Sequence, residues 1–256
     1  MKKIFSASAQ GQTYFNEGKN NQDFYCNFVD DNKAIMVICD GCHGGKNSEV
    51  VARLSAPFLV RKINELLDDG LSLAELPTFL FDYYQEYLIG LVESQLFQNK
   101  EEVERFVYEN LLCTVIGVVS YQDEVLLFNC GDGSFYLNDS IYLVRESLHN
   151  RPTYLAYNLL KVYGIIPESS VELIDDRDGK TTKIPTEFET VYLTDSDIKI
   201  IGISSDGLNP YPSLFDELRL HAKSQISLTL CLNRIVVIRG ETTDNVTVSF
   251  LVKTGD

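Results

Sequence analysis

The stretch CDGCHGG, residues 39–45, reads in two ways that lead to different folds. Cys39, Cys42 and His43 spell C-x-x-C-H, the pattern of covalent haem attachment. Asp40 and Gly41 instead form an Asp-Gly turn that closes the apolar run AIMVIC (34–39), and a carboxylate at such a strand end is placed to hold a metal ion. The haem reading wants a small helical scaffold and export to a haem-loading compartment, with His43 as an axial ligand.

Composition weighs on that choice. The chain has 256 residues, of which 45% are hydrophobic and 23% charged, as expected of a globular protein with a sizeable core, and one domain spanning 1–256 is the expectation. The formal net charge of −15 repels phosphate backbones and anionic lipid, so neither nucleic acid nor a membrane surface is an expected partner, whereas cations are. The opening MKKIFSASAQGQTYF lacks the apolar core of a signal peptide, and no run approaches the roughly 18 apolar residues of a membrane span. A cytoplasmic, reducing location is therefore expected. The six cysteines, apart from one close pair, are scattered through apolar runs and read as core residues; a zinc site would need two further thiolate or imidazole ligands, and no second close pair exists. The haem spelling is accidental on this reading.

Outward from the turn, strand-like runs stand at 2–9, 24–29 and 34–39, the last apolar throughout as in a strand covered on both faces. Helical spacing follows from Ser48 to about Leu67, with Asn47 or Ser48 as N-cap and a kink expected at Pro57, then from about Leu76 to Phe97 and from Glu101 to Asn110. Four strand candidates, at 113–120, 124–130, 134–139 and 140–145, predict an antiparallel meander. Residues 146–190 are weakly patterned, with a polar loop or flap at 175–183. Strand signals return at 190–194, 198–205 and 245–252, with helical segments near 211–224 and 225–236. Two blocks of strands with helices between and after them give an α+β fold of two packed sheets covered by helices.

The aspartates fall at the ends of these runs. Asp40, Asp132 and Asp206 stand just past one, in DGCHGG, GDG and SDGL; Asp23 and Asp244 open one. In antiparallel neighbours the end of one strand lies beside the start of the next, so all five meet at one edge. Clustered carboxylates repel unless neutralised, and a hard divalent cation such as Mg²⁺ or Mn²⁺ does this with oxygen ligands. Two such ions side by side clamp a phosphoryl group and activate water.

These motifs, in order NNQDFY (20–25), VICDGCHGG (37–45), CTVIGVV (113–119), LLFNCGDGSFYL (126–137), GISSDGL (202–208) and TDNVTVSFLV (243–252), resemble the metal-dependent serine/threonine phosphatases of the protein phosphatase 2C type, in particular compact bacterial members. The resemblance implies a four-layer α-β-β-α sandwich of two mainly antiparallel sheets, and two Mn²⁺ or Mg²⁺ ions at one end of them. It implies Asp40 as a bridging ligand, with the Gly41 carbonyl, Asp23, Asp206 and Asp244 as direct or water-mediated ligands. Asp132 would help hold a third, weaker ion. The implied substrates are phosphorylated proteins, with a cognate serine/threonine kinase as counterpart and the enzyme a monomer.

The chain departs from the pattern at two points. It has no arginine before Arg53 to grip the substrate phosphate, which leaves Lys19 or Lys46 as the anchor, with a point charge in place of a bidentate fork. Relatives with a histidine in the first turn read DGHGG, whereas here it is DGCHGG, so a general-acid role for His43 stands beside an exposed loop residue, and Cys42 becomes a thiol open to oxidation. The alternative to an enzyme is a silent member that binds a protein partner through the same fold; loss of metal ligands would mark it, and none is lost.

Overall fold

The computed structural model describes residues 1–145, 152–174 and 179–253. Its twelve strands and seven helices run in the order β1 (Lys2–Ala9), α1 (Gln12–Asn16), β2 (Asp23–Val29), β3 (Lys33–Gly41), α2 (Ser48–Asp68), α3 (Leu76–Glu93), α4 (Lys100–Phe106), β4 (Cys113–Tyr121), β5 (Glu124–Cys130), β6 (Gly133–Leu137) and β7 (Ser140–Arg145). There follow α5 (Tyr157–Val162), β8 (Glu172–Ile174), β9 (Thr181–Lys183), β10 (Glu189–Thr194), β11 (Ile200–Ser204), α6 (Pro212–His221), α7 (Gln225–Asn233) and β12 (Val246–Lys253).

Two five-stranded antiparallel sheets result, one in the order β10-β5-β4-β3-β2 and the other β1-β12-β11-β6-β7. The alternation along β3 shows how they stack. Ile35, Val37 and Cys39 face a helical layer built on α2 and α3, while Ala34, Met36 and Ile38 face the second sheet and meet Phe135, Ile203 and Leu251 there. The outer face of the second sheet buries Val248 and Phe250 against Phe215, Leu218 and Leu232 of α6 and α7. The fold is thus α+β, two antiparallel sheets between helices, and the fully apolar run 34–39 is explained by a strand with no wet face.

Several elements differ from the sequence expectation. The four central strands are not one meander: β4 pairs with β5 in the first sheet, but β6 pairs with β7 and β11 in the second. The turn at Gly131–Gly133 therefore carries the chain between sheets, where local pattern reads the same as a hairpin. Helix α3 ends at Glu93 and not at Phe97, and the segment 101–110 divides into α4 and a π-helical turn, Val107–Leu111. A second π-turn, Arg234–Ile238, ends the segment begun by α7. Helix α2 continues past Pro57, and its N-cap is Asn47, whose side chain makes no capping bond.

Part of the weakly patterned 146–190 is core. Tyr154, Leu159, Leu160, Ile184 and Phe188 are buried with the helical layer beside the first sheet, and β8 and β9 form a small hairpin. Of the polar stretch 175–183, residues 175–178 lie outside the described residues, as do 146–151. Among the described residues no helix is long and apolar enough to cross a membrane.

Candidate metal centre

Strand pairing delivers the aspartates. Asp23 opens β2 directly opposite Asp40 near the end of β3, and Asp40 in turn lies opposite Thr114 of β4. From the second sheet come Asp206, which starts a short 3₁₀ turn after β11, and Asp244, in the loop before β12. Asp132 sits in the crossing between the sheets, flanked by Gly131 at φ 102° and Gly133 at φ 129°, a backbone that any residue with a Cβ resists. At Gly41 the need is space: a Cβ there would stand 2.6 Å from the Ser48 carbonyl oxygen, because the start of α2 presses on the strand end.

Asp23 and Asp132 are buried, Asp40, Asp206 and Asp244 are half-buried, and the group is electrostatically joined. Asp40 is held well above the usual carboxylate range, by burial first and then by the charges of Asp23, Asp206 and Asp244. Burial pushes Asp23 up to about 6, with the charge of Asp244 adding and hydrogen bonds from Asp40 and Ser205 opposing. Asp206 is pushed up to about 7 by burial and then by the charges of Asp132 and Asp244. After burial, the charges that raise Asp23, Asp40 and Asp206 come from other aspartates of the set, Asp132 and Asp244 included.

The donor set suits a hard divalent cation: it is all oxygen, it is half-buried at one edge of the sheets, and Asp23 Oδ1 is enclosed without a hydrogen-bond partner. Among the described residues no three acidic, histidine or cysteine side chains are already closed around one point as a cage. The carboxylates meet in pairs across the strand ends.

The protein phosphatase 2C family model matches residues 10–234, which takes in β2 through α7. The chain belongs to the protein phosphatase 2C family. It is thus a serine/threonine protein phosphatase by class. Among solved structures, a bacterial serine phosphatase is similar over 100% of this chain and 99% of its own, at 18% identity and a TM-score of 0.65. The serine/threonine phosphatase of S. agalactiae is similar over 99% of this chain and 100% of its own, at 17% identity and a TM-score of 0.64. The catalytic domain of the serine threonine protein phosphatase PstP, solved in complex with two manganese ions, is similar over 98% of this chain and 97% of its own, at 17% identity and a TM-score of 0.56. At such identities the likeness speaks to the fold. No curated protein matches the sequence.

The rim of this phosphatase 2C site is less regular. Lys19 Nζ donates to the His43 carbonyl at 3.0 Å and pairs with Glu17 at 3.1 Å. Glu17 also faces His43 Nε2 at 3.5 Å, so one exposed carboxylate gathers both residues that the sequence singled out. Lys46 is exposed, its backbone N–H bonded to the Glu109 carbonyl in the π-turn. Cys42 packs on the helix-side core, with its thiol at the hydroxyl of buried Tyr154, which also feels the charge of Asp132.

Two residues were missed by sequence reasoning. Tyr14 is buried with its hydroxyl hydrogen-bonded to Asp244 and its ring edge-on to His43 at 4.8 Å between centroids; burial and the neighbouring carboxylates hold its proton firmly. Ser205, buried between β11 and Asp206, donates to Asp23 Oδ2 at 2.7 Å. Nothing in QGQTYFNEG marks Tyr14, whereas Ser205 lies inside a quoted motif, and only its reach to Asp23 was hidden.

Proposed function

We propose that the aspartate cluster holds two Mn²⁺ or Mg²⁺ ions and that the chain hydrolyses phosphoserine and phosphothreonine on proteins. The observation that carries this reading is the electrostatically joined set of buried Asp23 and half-buried Asp40, Asp206 and Asp244, with Asp23 Oδ1 left unpartnered. Bound divalent ions supply Lewis-acid charge to the phosphoryl oxygens and lower the pKa of a coordinated water.

The protein's own contribution is placement. Asp40, held between Asp23 and Thr114 in the first sheet, is the bridging ligand in this reading; Asp23, the Gly41 carbonyl, Asp206 and Asp244 complete the set, and Asp132 serves a third, weaker ion. In this reading Lys19 anchors the substrate phosphate once its ammonium leaves Glu17, and His43, beside it, gives a proton to the departing seryl or threonyl oxygen. A phosphoprotein reaches this edge of the sheets in the open, since His43 and Lys46 are exposed. The same reading makes residues 1–256 one domain, active as a monomer in the cytoplasm opposite a serine/threonine kinase.

Hydrolysis of a phosphothreonine peptide and of a small aryl phosphate, with and without Mn²⁺, tests the proposal. Activity that appears with Mn²⁺ and disappears with a chelator is expected. A protein that takes up Mn²⁺ but turns over neither substrate would instead mark a silent, partner-binding member.

A further inference from the structure

A carboxylate that serves a cation must present one defined oxygen, and a side chain with a free χ2 does not do so unaided. Asp23 is 3% exposed, and its two oxygens have different surroundings. Oδ2 accepts the hydroxyl of Ser205 at 2.7 Å; Oδ1 is enclosed without a partner. The question is what fixes that asymmetry.

Ser205 has little choice of where its proton goes. Its backbone N–H donates to the Thr247 carbonyl at 3.0 Å, and its Oγ accepts the Thr247 N–H, also at 3.0 Å. One residue thus extends the β11–β12 pairing while its hydroxyl oxygen is pinned from behind. A hydroxyl has one proton to give, and with the Thr247 N–H occupying a lone pair, that proton is directed at Asp23 Oδ2. The Thr247 hydroxyl, shared with Ser8 at 2.6 Å, lends Asp23 a further and weaker bond. Asp23 comes from the first sheet and Ser205 from the second, so this bond also ties the sheets together at the site.

We propose that Ser205 is a positioning residue: by occupying Asp23 Oδ2 it leaves the enclosed Oδ1 as the oxygen that receives the cation. This rests on the metal reading of the cluster given above. It does not require Ser205 to touch metal or substrate.

The test compares the parent with Ser205→Ala and Ser205→Cys, the second nearly isosteric and a poor donor, so that one variant survives if the truncated one does not fold. Mn²⁺ binding is measured by titration calorimetry, and thermal stability is measured in chelator. Removing a partner that orients a metal ligand weakens binding about 10- to 100-fold, and that loss is expected in both variants. With phosphopeptide, the Mn²⁺ concentration needed for half-activity rises in step, while kcat at saturating Mn²⁺ and KM for peptide stay near the parent's. A residue that merely closed the β-ladder would lower stability in chelator and leave Mn²⁺ affinity within twofold, and that result overturns the inference. If the parent itself binds no Mn²⁺, the metal reading fails and takes this inference with it; a parent that binds alongside variants that bind equally well sinks the positioning role alone.

Discussion

Asp206 and Asp23 hold their protons to about 7 and about 6, because burial and neighbouring carboxylates penalise the ionised form. The consequence for stability has a definite sign. In the unfolded chain these groups ionise near 4, so between about pH 4 and 7 the folded protein binds more protons than the unfolded one, and stability falls as pH rises through that window. In chelator, the melting temperature should be lower at pH 7.5 than at pH 5.5, with a shallower slope in Asp206→Asn, where one titrating carboxyl is gone. Added Mn²⁺ should reverse the trend, since a cation needs the ionised form and competes with protons less as pH rises. An identical pH slope in parent and Asp206→Asn would contradict this. At this scale the sequence was most legible where a turn motif carried the acid: Asp40, Asp132 and Asp206 were found as turn residues. Tyr14 and the reach of Ser205 were not, because each acts on a carboxylate far away in the chain, and only the paired strands bring them together.

The elements were legible where periodicity was strong. The apolar runs of β3, β4 and β12 and the apolar stripe of α2 located those elements to within a residue or two. Which sheet a strand joins was not legible, since β6 alternates in the same way in either sheet and the Gly131–Gly133 turn looks like a hairpin from its residues alone. The π-turn Val107–Leu111 also left no trace, yet its Glu109 carbonyl accepts the N–H groups of Lys46 and Asn47 and so fastens the loop that follows Gly41. That loop is further closed by Ser48 Oγ, which donates to the Cys42 carbonyl at 2.7 Å, and by Gln22, which donates to Ser48 Oγ at 2.7 Å. The tight junction of β3 and α2 makes Gly41→Ala informative. Its Cβ would enter the Ser48 backbone, and relief by a shift of α2 should cost about 1–3 kcal/mol, as overpacking does. Urea unfolding would read this directly, and a variant with unchanged midpoint would show that the helix start is free to move.

Across the whole molecule, the site is a seam. Asp23 and Asp40 belong to one sheet, Asp206 and Asp244 flank strands of the other, and Asp132 sits where the chain passes between them. The apolar contacts of Met36, Ile38, Phe135 and Ile203 hold the sheets together behind this edge, while at the edge itself the carboxylates push apart. Ions bound there would link the sheets, so Mn²⁺ should raise the melting temperature of the entire fold, by an amount equivalent to about 2.7 kcal/mol at a hundredfold excess over Kd. Fold class was readable from the two blocks of strands and the helices around them, and family membership followed from motifs spread along nearly the full chain. The phosphate anchor was not settled by either, because Lys19 shares Glu17 with His43 in the structure.

The central claim is that the carboxylate of Asp40 would hold divalent ions whose Lewis-acid charge serves phosphoryl hydrolysis. It is tested most directly by comparing Mn²⁺-dependent hydrolysis of a phosphothreonine peptide by the parent and by Asp40→Asn, each shown to be folded. The neutral amide keeps the shape and loses the bridging charge, so the account predicts a fall in kcat of about 100-fold or more, beyond what loss of an orienting partner alone brings. Equal activity of the two proteins would contradict it.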